Sequence, residues 1–163
     1  MVQAIDTRAF RDVIGGFATG VTVITFSTDE VTRGMTANAV TSVSLDPTLV
    51  AVCVGKAGTA HPQLEVANAF AVNILAEDQA DVSNTFSRGE VRDMAGQPYT
   101  TGATGSPLLE GVLAWLDCEV HARIDGGDHT IYIGKVVDLA LPRPDAAPLL
   151  FFRGRYQALA KGV

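Results

Sequence analysis

The chain has 163 residues, of which 47% are apolar and 18% charged, and a formal net charge of -6. That length suits one domain spanning residues 1–163, and the apolar share is too high for a disordered chain. The acidic balance repels phosphodiester backbones, no apolar run approaches the roughly 20 residues of a membrane span, and no signal-peptide pattern opens the chain; nucleic-acid and membrane partners are excluded and a cytoplasmic location is expected.

In chain order, Phe10, Val13, Ile14 and Phe17 fall at helical spacing behind a capping Asp6 or Thr7. This predicts a helix over 7–18, weakened by Gly15-Gly16. The β-branched run Val21-Thr22-Val23-Ile24-Thr25-Phe26 is followed by polar Ser27-Thr28-Asp29-Glu30, which predicts a hairpin into 33–37. Further strands are expected at 41–44, 48–55, 69–75, 111–124, 129–141 and 149–156, and short helices at 62–67 and 78–86. The turn composition Asp125-Gly126-Gly127-Asp128 joins two of these strands into a long hairpin. Segment 88–106, with Gly89, Gly96, Gly102 and Gly105, lacks periodicity and reads as a long loop. The pattern is mainly β with a few short helices, and closure into a small barrel would remove exposed strand edges.

Several chemistries lack their residues. Cys53 and Cys118 sit alone in apolar runs and read as buried structural thiols, and His61, His121 and His129 show no metal-ligand spacing. No strand leads into G-x-G-x-x-G, Gly55-Lys56-Ala57-Gly58-Thr59 misses the phosphate-loop spacing, and no G-x-S-x-G elbow occurs. What remains is chemistry carried by a bound organic cofactor, for which the protein supplies position and polarity. The stretch Gly34-Met35-Thr36-Ala37-Asn38-Ala39-Val40-Thr41-Ser42-Val43-Ser44 places small and hydroxyl residues between strong strands. It suits either a planar heteroaromatic ring lying close to the backbone or a hydroxyl-rich turn that caps itself.

Phe17-Ala18-Thr19-Gly20-Val21-Thr22-Val23-Ile24-Thr25, the 34–47 stretch, Phe70-Ala71-Val72-Asn73-Ile74-Leu75, Pro107-Leu108-Leu109-Glu110-Gly111, Gly127-Asp128-His129 and Phe152-Arg153-Gly154-Arg155-Tyr156 occur in this order. In that order the sequence resembles the short-chain flavin reductase family, the reductase components of two-component flavin-dependent monooxygenases. The resemblance implies a split β-barrel homodimer. It implies FMN or FAD as cofactor, NADH or NADPH as hydride donor, and a monooxygenase that receives the reduced flavin.

By the family pattern Thr36, Ala37, Asn38 and Ala39 line the isoalloxazine, with Ser42 and Ser44 toward the ribityl and phosphate. The loop from Cys53 to Thr59 approaches the phosphate with Lys56 and Thr59, and Ala57-Gly58 stands where relatives often carry Ser, which leaves that part to backbone N–H groups. Phe86, Ser87 and Arg88 lie near the flavin. His129 sits beside the nicotinamide, and Phe152, Arg153, Gly154 and Tyr156 form the nicotinamide-nucleotide segment. Trp115 and His121 are assigned to packing, and Asn73 to the strand backbone. No metal is implied. A flavin-binding split barrel without turnover and a pyridoxamine-phosphate-oxidase-like enzyme are the competing readings, and neither explains the Gly-Asp-His turn.

Overall fold

The structure, a computed structural model, describes residues 4–87 and 93–160. Helix α1 (Thr7–Ile14) starts where the Asp6 carboxylate accepts the backbone N–H groups of Arg8 and Ala9 at 3.2 and 3.3 Å. It ends before Gly15-Gly16, short of the expected residue 18, because the two glycines release the chain toward the sheet. Strands β1 (Thr19–Gly20), β2 (Thr22–Ser27), β3 (Thr32–Ala37), β4 (Val40–Leu45) and β5 (Thr48–Gly55) follow, then helix α2 (His61–Leu64), β6 (Ala69–Ile74) and helix α3 (Ala80–Ser87). After a short turn at Asp93–Gly96 come β7 (Tyr99–Thr101), β8 (Pro107–Leu109), β9 (Ala114–Gly126), β10 (His129–Ala140), β11 (Leu150–Phe152) and β12 (Arg155–Gln157).

Seven strands form one antiparallel sheet in the order β3-β2-β6-β9-β10-β5-β4. Its two edges, β3 and β4, are neighbours in the chain, joined only by Asn38-Ala39. From Ala37 to Val40 the chain reaches at most about 10 Å. The sheet therefore has to curl until its edges face each other, which makes a barrel split along one seam. The expected split β-barrel is the observed architecture.

Strand β2 is buried throughout Thr22–Phe26 because both of its faces are covered. Ile24 and Phe26 point into the barrel core with Val52, Val54, Phe70, Val72 and Tyr132. Val23 and the preceding Val21 face a second core with Leu75, Phe86, Met94, Leu109 and Leu149. Between the two, fully buried Asn73 donates to the Val23 carbonyl at 3.1 Å and accepts the Leu109 N–H at 2.8 Å, so it serves the backbone as expected. At the foot of the barrel the Tyr132 hydroxyl donates to Glu65, and burial together with that carboxylate pushes the phenol well above its usual range.

Further expectations change. Segment 149–156 is a hairpin rather than one strand: Arg153 and Gly154 have φ of 48° and 75°, the left-handed pair that a tight two-residue turn requires. Segment 88–106 is not wholly loop, since β7 pairs with β8 (Tyr99↔Leu109) and the link between them is anchored where buried Asp117 accepts the Thr104 N–H at 2.9 Å. His121 is exposed on β9, so it does not pack, whereas Trp115 lies against the second core.

Cys118 is fully buried, and burial with the neighbouring Asp117 charge pushes its thiol up to about 12. Cys53 is only half-buried, contrary to expectation, because its strand forms the wall of a surface groove. The thiolate is the reactive form, and burial keeps Cys118 in the thiol form at neutral pH. Alkylation followed by mass spectrometry should modify Cys118 only after denaturant is added; modification of the native protein at the rate of a free thiol would contradict its burial.

Candidate active site

Along the seam between β3 and β4 lie three hollows that share lining residues. The first, about 270 Å³, is lined by Arg33, Gly34, Thr36, Gly55, Gly58, Thr59, His61, Phe86 and Ser87. The second, about 160 Å³, shares Thr36 and Ser87 with it and adds Ala37, Asn38, Ser83, Phe151 and Tyr156. The third, about 600 Å³, shares Asn38 and Phe151 with the second and adds Arg11, Phe17, Ala39, Cys53, Arg153 and Gly154. Four consecutive residues, Thr36 to Ala39, border the whole run.

Their backbone is pinned on both sides. Thr22 Oγ1 donates to the Ala37 carbonyl at 2.6 Å, and the Ala39 carbonyl accepts the Cys53 N–H at 3.0 Å. Thr36 Oγ1 donates to the Ser83 carbonyl at 2.7 Å, which commits that hydroxyl to α3. Asn38 stands exposed between two alanines, its amide donating to Thr19 Oγ1 at 3.2 Å.

At the first hollow the cation is Arg33, a residue the sequence does not single out. Its buried guanidinium donates to the Thr59 carbonyl at 3.2 Å, to Thr59 Oγ1 at 2.7 Å and to Gln63 Oε1 at 2.9 Å. His61 lines the same hollow, with Nε2 lying 2.8 Å from Thr130 Oγ1. Phe86 is buried against Gly34, where an added Cβ would sit 2.6 Å from its ring. Ser87 Oγ donates to the Asn84 carbonyl at 2.9 Å.

Lys56, expected at a phosphate, turns elsewhere. Its Nζ donates to Asp125 and, at 2.7 Å, to the Gly127 carbonyl, while its N–H donates to the Asp128 carbonyl at 2.9 Å. It thereby ties the end of β5 to the β9–β10 turn and lines none of the three hollows. Ser42 and Ser44 lie apart from the cationic end, in an apolar hollow of about 450 Å³ that shares Phe17, Thr19, Asn38, Val40 and Thr41 with the third and adds Leu45, Leu49, Val136 and Leu139. Arg88 lies outside the described residues.

His129 opens β10. The register His129↔Gly55, Ile131↔Cys53, Ile133↔Ala51 sets it on the sheet face that carries Cys53 and Ala51, the floor of the third hollow. Its ring is 47% exposed, with Nδ1 lying 2.7 Å from Asp128 Oδ1. That hydrogen bond, reinforced by the charge His129 carries when protonated and by Arg11, holds the Asp128 carboxyl below its usual range. The C-terminal hairpin forms the opposite wall: β11 pairs with β1, and the Arg153 N–H donates to the Gly15 carbonyl at 3.0 Å. The Arg153 guanidinium lies 5.1 Å from the Phe152 ring centre. Tyr156 packs edge-on against Phe151 and donates its hydroxyl to Ser83 Oγ at 2.7 Å.

A barrel split at one seam, with a groove of small residues and bare glycine backbone between a buried cation and an exposed imidazole, defines a split-barrel cofactor-binding domain. Residues 14–160 match the flavin reductase like domain, and the chain belongs to that family. It is 41% identical over 160 residues to the HsaB reductase subunit of a flavin-dependent monooxygenase from Mycobacterium tuberculosis, covering 98% of this chain and 86% of that one. Among solved structures it is similar to the Streptomyces globisporus NADH:FAD oxidoreductase SgcE6 in complex with NAD and FAD fragments, with 38% identity, a TM-score of 0.89 and 98% of each chain covered. It is also similar to the flavin reductase PheA2, with 39% identity, a TM-score of 0.88 and coverage of 96% of this chain and 100% of that one.

The wall formed by β11 and β12 is tied to α3 through Tyr156. Tyr156→Phe should lower stability by about 0.5–1.5 kcal/mol, one net hydrogen bond, and raise amide exchange at 150–157. Unchanged exchange there would mean that Phe151 and the Gly15 contact hold the hairpin by themselves.

Proposed function

We propose that the chain is an NAD(P)H-dependent flavin reductase that binds FMN or FAD along the seam, takes hydride from NADH or NADPH, and releases reduced flavin to a separate flavin-dependent monooxygenase in the cytoplasm. The observation that carries this reading is the row of adjoining hollows along Thr36–Ala39, with Arg33 and His61 lining one end, Arg153 and Cys53 the other, and His129 on the sheet face that carries Cys53. The relatives support it, since one is called an NADH-dependent FAD reductase and others reductase subunits of monooxygenases.

The lining fits a flavin. Ala37 and Ala39 project only methyl groups where a flat ring would lie, and the exposed Asn38 amide stands between them. Bare backbone at Gly55 and Gly58, with the Arg33 charge behind it, suits a phosphate. What a flavin supplies when bound is a ring able to accept hydride; the chain supplies position and fixed polarity. Backbone groups of Thr36 to Ala39, pinned by Thr22 and Cys53, need no reorganisation as charge develops beside them. His129 orients the nicotinamide, and Arg153 and Gly154 contact its nucleotide. Thr36 and Phe86 act mainly by shaping the groove, and Lys56 by holding its floor.

A second copy of the chain completes the site. Helix α1 buries none of its own residues, and Phe17 and Leu45 are 72% and 86% exposed at hollows bordering the seam. An apolar face of this kind is what a two-fold partner covers. Sedimentation should give twice 17.1 kDa, and a fully active monomer would contradict the homodimer.

The purified protein should oxidise NAD(P)H only when flavin is present; turnover by the flavin-free protein would overturn the proposal. His129→Ala should lower kcat/KM for NADH roughly ten-fold to a few hundred-fold while flavin Kd, read by fluorescence quenching, stays nearly constant. A joint decline of flavin affinity, NADH use and Tm would instead make His129 structural.

A further inference from the structure

The imidazole of His129 has two nitrogens in different surroundings. Nδ1 lies 2.7 Å from Asp128 Oδ1, and an ionised carboxylate can only accept, so Nδ1 carries the proton and donates. The depressed Asp128 pKa keeps that carboxylate ionised at neutral pH. A neutral imidazole with its proton on Nδ1 has a lone pair on Nε2. No group among the described residues bonds Nε2, which lies against the bare backbone of Gly55, 3.6 Å from where a Cβ would stand. Its sheet face is the one that carries Cys53 into the large hollow.

The carboxylate is itself held in place. Lys56 donates its N–H to the Asp128 carbonyl and its Nζ to Gly127 and Asp125, so the turn is fastened to β5 on the residue that follows Gly55. Lys56, just after β5, Asp125 from β9 and Arg11 from α1 are the charged groups around the pair.

We propose that Asp128 is a positioning residue that fixes the tautomer of His129, so that Nε2 accepts a hydrogen bond from the carboxamide N–H of a reduced nicotinamide. This rests on reading His129 as a nicotinamide contact. The pairing selects substrates by a single group: a dihydropyridine carrying a carboxamide offers the N–H that an Nε2 lone pair needs, and one carrying a methyl ketone does not. An exposed pair of adjacent residues adds little to stability, so removing the carboxylate leaves the fold intact.

The test compares NADH with reduced 3-acetylpyridine adenine dinucleotide on flavin-loaded wild type, Asp128→Ala, Asp128→Asn and His129→Ala, with the imidazole tautomer read by 15N NMR of histidine-labelled protein. Wild type should show the Nδ1-protonated form, and Asp128→Ala should lose it. Asp128→Ala should reduce kcat/KM about ten-fold with NADH, the scale of one hydrogen bond, and less than about two-fold with the methyl ketone, each relative to wild type. Asp128→Asn, whose side-chain carbonyl also accepts, should recover part of the loss, and flavin Kd should not move in either variant. An Nε2-protonated ring in wild type, or equal losses with both dinucleotides, overturns the role of Asp128 alone. Unchanged NADH kinetics in His129→Ala, with the Nδ1 tautomer still seen in wild type, overturns the nicotinamide reading and this inference with it.

Discussion

The structure depends on the shortness of one connection. Asn38-Ala39 joins the two outermost strands of a seven-stranded sheet, and a link that short is met only if the sheet curls almost fully round. The seam left between those edges is where regular strand pairing stops. No ladder joins β3 to β4 there, and the candidate groove opens along the gap. Barrel and site therefore have a common origin.

The rest of the site follows from what borders that seam. On one side α3 closes the groove by accepting the Thr36 hydroxyl and packing Phe86 onto Gly34. On the other, the hairpin β11–β12 is attached to β1 and to the chain after α1. The end of β5 serves both ends of the groove: Gly55 and Gly58 help line the hollow next to Arg33, while Gly55 pairs with His129 and Lys56 grips the turn before it. Lys56 is engaged in that grip, and the cation at the first hollow is Arg33, which comes from β3 and is locked to Thr59 and Gln63 by its own hydrogen bonds.

Local pattern carries much of this architecture. The β-branched run of β2 and the turn composition at Asp125-Gly126-Gly127-Asp128 each read correctly because their signal is contiguous. What is illegible depends on distant partners. The β7–β8 hairpin is hidden because its link is anchored on Asp117 of β9, and β11–β12 reads as one strand because Arg153-Gly154 looks like part of a motif rather than a turn. Arg33 and His61 resemble ordinary polar residues in sequence; only the approach of the 59–63 segment to β3 makes them lining groups. The grip of Lys56 is hidden for the same reason, since its partners lie on β9 and the following turn.

Strand β2 carries a further consequence, for the protein outside its native state. Val21-Thr22-Val23-Ile24-Thr25-Phe26 has no charge and no proline, and in the fold it is shielded on both faces and flanked by β3 and β6. Once the barrel opens, the same residues become an uncharged, β-prone segment of the length that stacks between chains. Aggregation then competes with refolding, so the working lifetime of this protein under heat is set by the rate of barrel opening rather than by an equilibrium free energy.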